Sequence, residues 1–132
     1  MSDVLTAVVI DDSPVIRALL AGLLRRQGMR VLDARDGDSG LALAASERPA
    51  LICVDLMLPN TSGLDVCRAL RATPATAHAG IVVISARPYP QDRAAALEAG
   101  ADAFLSKPVD TLMLDTTVRN VLWTRRAQRR VS

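Results

Sequence analysis

Short apolar runs alternate with helical stretches five times along these 132 residues, and this alternation constrains the fold more than any other feature. The apolar runs have the length of strands, and the stretches between them carry apolar residues at helical spacing. Such an order predicts parallel strands joined by right-handed crossovers. We therefore expect an α/β fold, a doubly wound (βα)5 sandwich with a five-stranded parallel sheet in the order 2-1-3-4-5.

The expected strands span residues 6–11, 30–34, 51–55, 81–85 and 103–106. The first helix begins with Ser13 as N-cap and Pro14 at its first position, and Gly28 fits its end. Asp36 and Gly37 are expected to form a turn before the second helix, at residues 39–47. The third and fourth helices are expected at 62–72 and 91–99, the latter after a turn marked by Pro88 and Pro90, and the fifth from residue 110 into the last arginines.

Polar side chains end or follow four of these strands. Asp11 and Asp12 end the first strand, Asp55 ends the third, Ser85 ends the fourth and Lys107 follows the fifth. The carboxyl ends of parallel strands meet at one edge of an open α/β sheet, where such folds hold their ligands. An acid pair, an acid, a hydroxyl and an amine suit a divalent metal ion and a phosphoryl group bonded to Asp55.

The three acids predict a metal site. In the expected strand order the first and third strands are neighbours, so Asp11, Asp12 and Asp55 converge and repel one another unless a cation lies among them. Ligands that are all oxygens favour Mg²⁺, with Mn²⁺ as an alternative, and no His or Cys is placed to compete. Helix capping by the acid pair is the simpler alternative.

Lys107 is the only lysine, against fifteen arginines. A compact ammonium contacts a single oxygen, whereas an arginine prefers a planar partner, so this choice indicates a specific contact. An Asp can act as a nucleophile towards phosphorus, and a metal and an amine would neutralise the charge on the transferred group. The alternatives are an Asp55 that only caps its turn, a Ser85 that satisfies a backbone group, and a Lys107 at the surface by chance.

Four motifs in this order resemble a known family. They are Asp11-Asp12-Ser13-Pro14, then Asp55-Leu56-Met57-Leu58-Pro59 with Gly63, then Ser85-Ala86, and the stretch from Gly100 to Lys107-Pro108. Together they resemble the response-regulator receiver domain of two-component signalling, which has a flavodoxin-like fold, from residue 8 to about residue 122. Lys107-Pro108 is a candidate for a cis peptide bond.

The resemblance implies a phosphoacceptor rather than an enzyme, one that assists its own phosphorylation and dephosphorylation. Asp55 would take a phosphoryl group from a histidine kinase or a histidine phosphotransfer protein. Asp12, Asp55 and the backbone carbonyl of Met57 would bind Mg²⁺, while Asp11 would act mainly through water. Ser85 and Lys107 would contact the phosphoryl oxygens.

The resemblance also implies a switch and an output face. Inward movement of Ser85 would let Phe104 turn inward and reshape the face formed by helix four, strand five and helix five. This face would bind a downstream protein or a second copy of the chain, or the phosphoryl group would pass onward in a relay. Met57 and Arg87 occupy the positions at which the family tunes the lifetime of the phosphoryl group.

Charge and composition constrain the domain bounds, the partners and the cellular location. The net charge is +2, but four of the sixteen basic residues are arginines in the last eight positions, which leaves the body acidic. We therefore expect a receiver domain at residues 1–124, a basic tail at 125–132 and no direct nucleic-acid binding. The acidic start Met1-Ser2-Asp3, the absence of a run near ~18 apolar residues and two cysteines without metal-ligand spacing predict a cytoplasmic protein that does not enter membranes.

The output is less constrained by the sequence. No effector motif follows the fifth helix, so a stand-alone receiver is expected, with a fragment of a longer regulator as the rival. Trp123 lies away from the apolar face of that helix, either as a contact surface for a partner or folded over the end of the domain. A phosphatase using an aspartyl phosphate would need a second acid where Met57 stands. A flavin or dinucleotide binder would need a phosphate-binding loop after the first strand.

Overall fold

The computed structural model of the protein describes residues 4–87 and 89–131, with side chains as far as residue 128. Three features used above lie outside these residues: the acidic start Met1-Ser2-Asp3, the turn residue Pro88, and the side chains of Arg129 and Arg130 in the expected tail. Within the described residues, no helix has the length and apolar character that crossing a membrane requires.

Five strands and five helices alternate along the chain. The strands are β1 (Thr6–Ile10), β2 (Arg30–Ala34), β3 (Leu51–Asp55), β4 (Gly80–Ser85) and β5 (Ala103–Ser106). The helices are α1 (Pro14–Arg26), α2 (Gly37–Glu47), α3 (Gly63–Ala72), α4 (Pro90–Glu98) and α5 (Thr111–Val131). All strand pairs are parallel and the order is β2-β1-β3-β4-β5, which confirms the expected fold.

The core consists of two layers, one on each face of the sheet. Successive residues of a strand point to opposite faces, so Val9 joins the layer beneath α1 and α5 while Val8 joins the layer beneath α2, α3 and α4. Every residue of β3 and β4 is buried. This burial on both faces explains why the central strands have continuous apolar sequences instead of alternating ones.

The first turn of α2 differs from the expectation. Asp36 and Gly37 do not form a separate turn: Gly37 is the first residue of the helix, and Asp36 is its N-cap. The Asp36 carboxylate accepts a hydrogen bond of 2.8 Å from the Ser39 amide, which satisfies one of the free N–H groups at the helix start. Aspartate is favoured both in turns and at N-caps, so the sequence alone did not separate the two.

Helices α4 and α5 are held very differently. Within α4 only Ala96 is buried, so this helix has few apolar contacts with the sheet. Along α5, Leu114, Val118 and Val121 are buried, and their spacing puts them on one face of the helix. Trp123 is 72% exposed, so the alternative that its ring folds over the end of the domain is wrong.

Candidate functional site

Neighbouring strands bring the three predicted acids together. β1 pairs with β3 in a register that sets Ile10 opposite Val54, so Asp11, just past β1, lies beside Asp55 at the end of β3. Asp11 and Asp55 are buried, whereas Asp12 is exposed. One carboxylate oxygen from each acid lies within 4.8 Å of the others. The structure therefore has the acid cluster that the sequence predicts.

Lys107 reaches this cluster from the end of β5, which lies two strands away from β3. Its Nζ lies 3.0 Å from Asp11 Oδ2 and 3.3 Å from Asp55 Oδ2. Its backbone amide donates to the Ser85 carbonyl at 2.8 Å, which continues the β4–β5 pairing and fixes where the side chain starts. The Lys107–Pro108 peptide bond is cis. The only lysine of the sequence thus contacts two of the acids, and its interpretation as a chance surface residue is wrong.

The electrostatics of the cluster are unbalanced, with three carboxylates around one ammonium. Burial raises the pKa of Asp55, and the nearby charge of Asp11 adds to this, while the Met57 amide and Lys107 oppose it. Burial also opposes the charge of Lys107, but the hydrogen bond to Asp11 and the charges of both acids outweigh it and raise the pKa of Lys107. The site therefore favours additional positive charge.

The donor set fits Mg²⁺. All candidate ligands are oxygens, the kind that this ion prefers. Both oxygens of Asp55 already accept hydrogen bonds, from the Met57 amide at 3.1 Å and from Lys107, and those of Asp11 accept from the Ser13 amide and Lys107. The Asp12 carboxylate accepts no hydrogen bond from any described residue. Asp12 is thus the acid with the most free coordinating capacity.

The loop after Asp55 returns close beneath it. The Gly63 amide donates to the Leu56 carbonyl at 2.9 Å, and Met57 pairs with Ser62. A Cβ on residue 63 would lie 2.7 Å from Leu56 Cα and closer still to the Asp55 carbonyl oxygen. Only glycine fits this approach without moving the backbone that carries Asp55.

Ser85 and Phe104, the predicted switch residues, are both buried. The Ser85 hydroxyl accepts a hydrogen bond of 3.0 Å from the Arg87 amide, so in this structure it satisfies a backbone group, as the simpler alternative has it. The Phe104 ring is 7% exposed and packs in the core layer that includes Ala96 of α4. The ring is therefore already directed inward in this conformation.

Arg87 lies in a group of contacts that the sequence did not reveal. Its Nε lies 3.2 Å from Asp92 Oδ2, its Nη1 lies 3.7 Å from the Met57 sulfur, and its guanidinium stacks 5.3 Å from the centre of the Tyr89 ring. The family resemblance singled out Met57 and Arg87 as two separate positions and did not predict that their side chains touch. An acid in the first turn of the following helix is the one signal that points to Asp92.

The opposite edge of the sheet carries a second charged cluster that sequence reasoning missed. Asp102 Oδ2 lies 3.0 Å from Arg71 Nη2 and accepts a hydrogen bond of 2.9 Å from the Ile81 amide. Asp102 Oδ1 lies 2.6 Å from Arg125 Nη2. We call Asp102, Arg71 and Arg125 the arginine clamp. It joins α3, the start of β5 and α5, and its Arg125 is the first residue of the expected basic tail.

Comparison with known proteins identifies the kind of domain. The family description "Response regulator receiver domain" matches residues 7–119. The transcriptional regulatory protein AfsQ1 of Streptomyces coelicolor is 41% identical over 122 residues, which cover 92% of this chain and 52% of that protein. The response regulator PleD of Caulobacter vibrioides is 40% identical over 114 residues, 86% of this chain and 25% of PleD. The chain thus spans about half or less of these two relatives.

Solved structures agree with the fold. The chemotaxis protein CheY4 of Vibrio cholerae superposes with a TM-score of 0.85 at 26% identity, covering 90% of this chain and 99% of CheY4. The BeF3-activated N-terminal receiver domain of RstA from Klebsiella pneumoniae superposes with a TM-score of 0.81 at 28% identity, covering 89% and 97% of the two chains.

Proposed function

The chain belongs to the family of response regulator receiver domains, and from that premise we propose that Asp55 is its phosphoacceptor. Receiver domains accept phosphoryl groups, generally use Mg²⁺, and serve response regulators that receive signals from histidine kinases. One observation supports the assignment to Asp55 above all others. Its buried carboxylate lies at the end of β3, next to two further acids and within 3.3 Å of Lys107.

The donor is a phosphohistidine of a histidine kinase or of a histidine phosphotransfer protein. An Asp55 carboxylate oxygen attacks the phosphorus and forms a P–O bond, while the P–N bond to the donor imidazole breaks. The electron pair of that bond leaves with the imidazole nitrogen, so the product is an acyl phosphate on Asp55 and a free histidine on the donor. No oxidant or further reactant is needed.

The other site residues hold charge during this transfer. Asp12, Asp55 and the backbone carbonyl of Met57 would hold Mg²⁺, with Asp11 acting mainly through water. The ion, when bound, neutralises negative charge on the phosphoryl oxygens. Lys107, now shared by two carboxylates, has the length and charge to donate to a phosphoryl oxygen instead. Its raised pKa keeps it protonated for this role.

The response follows from Ser85 and Phe104. A phosphoryl oxygen offers the Ser85 hydroxyl an acceptor, which draws it away from the Arg87 amide. Because Phe104 is already buried in this structure, the shift would act by holding the ring there, and the changed face of α4, β5 and α5 would serve a downstream protein, a second copy of the chain or onward relay. We place this activity in the cytoplasm and assign the chain no membrane or direct nucleic-acid contact.

The length of the relatives favours a second candidate for the output. AfsQ1 is named as a transcriptional regulator, and this chain matches about half of it. The chain would then be the receiver part of a longer regulator, with residues 125–132 leading towards an output domain. The phosphoryl chemistry at Asp55 would be the same in both cases.

Acetyl phosphate with Mg²⁺, followed by intact mass, tests the acceptor. We expect the wild type to gain the mass of one phosphoryl group and Asp55→Asn to gain none. Asp38→Asn, which changes an exposed carboxylate on α2, is the matched control and should behave as the wild type does. A folded wild type that gains no mass, or an Asp55→Asn variant that gains it, would contradict the proposal.

A further inference from the structure

Arg87 is a further cation near the phosphorylation site, besides Lys107. Its Nη1 contacts the Met57 sulfur at 3.7 Å, and the Met57 amide donates to Asp55 Oδ1 at 3.1 Å. The guanidinium is therefore separated from the acceptor carboxylate by a single residue. Met57 is 52% exposed, so its side chain has room to move aside.

The present partner of Arg87 holds it weakly. Asp92 Oδ2 lies 3.2 Å from Arg87 Nε, yet this buried oxygen accepts no hydrogen bond from any described residue. The second contact, from Arg87 Nη2 to Asp92 Oδ1, is long at 3.4 Å. Because Arg87 is also 43% exposed, water screens the pair. A stronger anion nearby would compete for this arginine.

Phosphorylation supplies such an anion. It replaces the single charge of Asp55 with an acyl phosphate carrying about two negative charges. A guanidinium offers five N–H donors in a planar fork that matches phosphoryl oxygens. The same event affects the backbone of Arg87, because its amide now donates to the Ser85 hydroxyl, the group that the proposed switch draws away.

Asp92 connects this exchange to α4. Within the described residues, the pair of Arg87 and Asp92 is the only side-chain ion pair of α4, and Ala96 is the only buried residue in the helix. Asp92 lies in the first turn, where the helix dipole favours a free carboxylate. Losing Arg87 therefore removes this ion pair from the start of the helix, while the helix dipole offsets part of the cost to the Asp92 carboxylate.

We propose that Arg87 is a second ligand of the phosphoryl group, held by Asp92 before phosphorylation, and that its transfer to the phosphoryl group releases the first turn of α4. The proposal rests on Asp55 being the phosphoacceptor. Arg87 would then control the position of α4 through Asp92. This effect would add to the switch through Ser85 and Phe104.

Tyr89 reports this transfer directly. It is the only tyrosine of the chain, and the Arg87 guanidinium stacks on its ring. Isotopic labelling of tyrosine therefore gives the ring signals of this residue alone in an NMR spectrum. We would record them for the full chain before and after acetyl phosphate and Mg²⁺, with intact mass on the same samples, and compare the signals of the phosphorylated fraction.

In the wild type, phosphorylation should shift the Tyr89 ring signals because the cation leaves the ring. Arg87→Gln should lose most of that shift, since it has no cation to transfer. Asp92→Asn removes the competing carboxylate but leaves the cation against the ring, so it should shift at least as much as the wild type. Arg93→Gln is the control: this exposed arginine of α4 forms no ion pair with a described residue, and its variant should shift as the wild type does.

Three results would overturn the proposal. The first is a phosphorylated wild type whose Tyr89 signals do not move. The second is an Arg87→Gln protein that shifts on phosphorylation as much as the wild type, which a purely structural arginine would allow. Both leave the phosphoacceptor intact, because the mass gain is measured separately. A wild type without any mass gain would overturn the phosphoacceptor and this inference together.

Discussion

The two edges of the sheet carry opposite charge balances. At the carboxyl edge, three carboxylates cluster, and one ammonium, Lys107, pairs with two of them. At the amino edge, the single carboxylate of Asp102 is shared by Arg71 and Arg125 and also accepts from the Ile81 amide. Burial and the neighbouring charge of Arg125 lower the pKa of Arg71, which shows how closely the clamp packs its cations.

This difference distinguishes a cluster suited to binding and reaction from a cluster that stabilises the fold. The carboxyl edge has acids in excess, so its charge balance favours a cation, and Asp12 keeps free coordinating capacity. At the amino edge, both oxygens of the one acid accept from arginines and one also accepts from the Ile81 amide, so Asp102 has its partners within the fold and holds three elements together. A cluster of charges indicates a reactive site when its carboxylates keep free coordinating capacity, and a structural one when its carboxylate is fully paired.

Removing the acid of the clamp should have the largest effect on stability. Asp102→Asn leaves two partly buried guanidiniums without their shared carboxylate, so we expect the free energy of unfolding to fall by about 2–3 kcal/mol. Urea denaturation measures it. Asp65→Asn, which breaks the exposed pair with Arg68, is the control and should cost less than about 0.5 kcal/mol. Equal losses in the two variants would remove the distinction between the edges.

Opening the reactive edge to water should shorten the life of the phosphoryl group. Met57→Asn replaces an apolar side chain beside Asp55 with a small polar one, so we expect hydrolysis to speed up several-fold, a change of about 1 kcal/mol in the barrier. The decay of the phosphorylated mass gives the rate. Met113→Asn, at a similarly exposed methionine on α5, should decay as the wild type does. An unchanged rate in Met57→Asn would refute the role of Met57.

Neutralising the acceptor should stabilise the fold. The pKa of Asp55 is raised in the folded state, so its ionisation costs more there than in the unfolded chain. This penalty is absent below the ordinary pKa of an aspartate, grows as the pH rises from that value to the raised pKa, and is constant above it. Without divalent metal, Asp55→Asn should therefore gain on the order of 1 kcal/mol at neutral pH, and the gain should disappear in acid.

Thermal or urea unfolding at several pH values measures this gain. On the proposed function Mg²⁺ would bind the folded acid cluster, so adding it should stabilise the wild type more than Asp55→Asn. A variant that is less stable than the wild type at neutral pH would show that Lys107 already balances the reactive edge, contrary to the comparison of the two edges.

The smallest stability change is expected next to the clamp. Trp123 is 72% exposed on α5, two residues before Arg125. Trp123→Ala should change the free energy of unfolding by less than about 0.5 kcal/mol, yet weaken self-association or partner binding if the ring is a contact surface. Sedimentation equilibrium would measure the self-association. Leu112→Ala, also exposed on α5, is the control, and unchanged association and binding in Trp123→Ala would contradict this role.

The reactive edge was predictable because its residues follow from local pattern. Each apolar run fixes a strand, each strand has one carboxyl end, and parallel pairing then places Asp11, Asp55 and Lys107 at the same edge. Secondary structure was also predictable, apart from boundaries such as Gly37, where aspartate suits both a turn and an N-cap. The roles of Ser85, Phe104 and Arg87 in switching and lifetime stay predictions.

The arginine clamp was not predictable in the same way. Arg71 lies 31 residues before Asp102 and Arg125 lies 23 residues after it, and no periodicity links them. Their contact exists only once α3, β5 and α5 have packed. With fifteen arginines in the chain, nothing in the sequence distinguishes these two. Long-range ion pairs depend on packing, whereas the strand-end acids depend on strand direction alone.

Gly63 has a consequence for genetics. The residue supplies no functional group, yet the space beneath Asp55 and Leu56 leaves no room for a Cβ. Every missense allele at this codon adds at least that one carbon. A selection for signalling should therefore score Gly63 as intolerant as Asp55 itself, and an allele recovered there would act through the shape of the loop and not through any reaction.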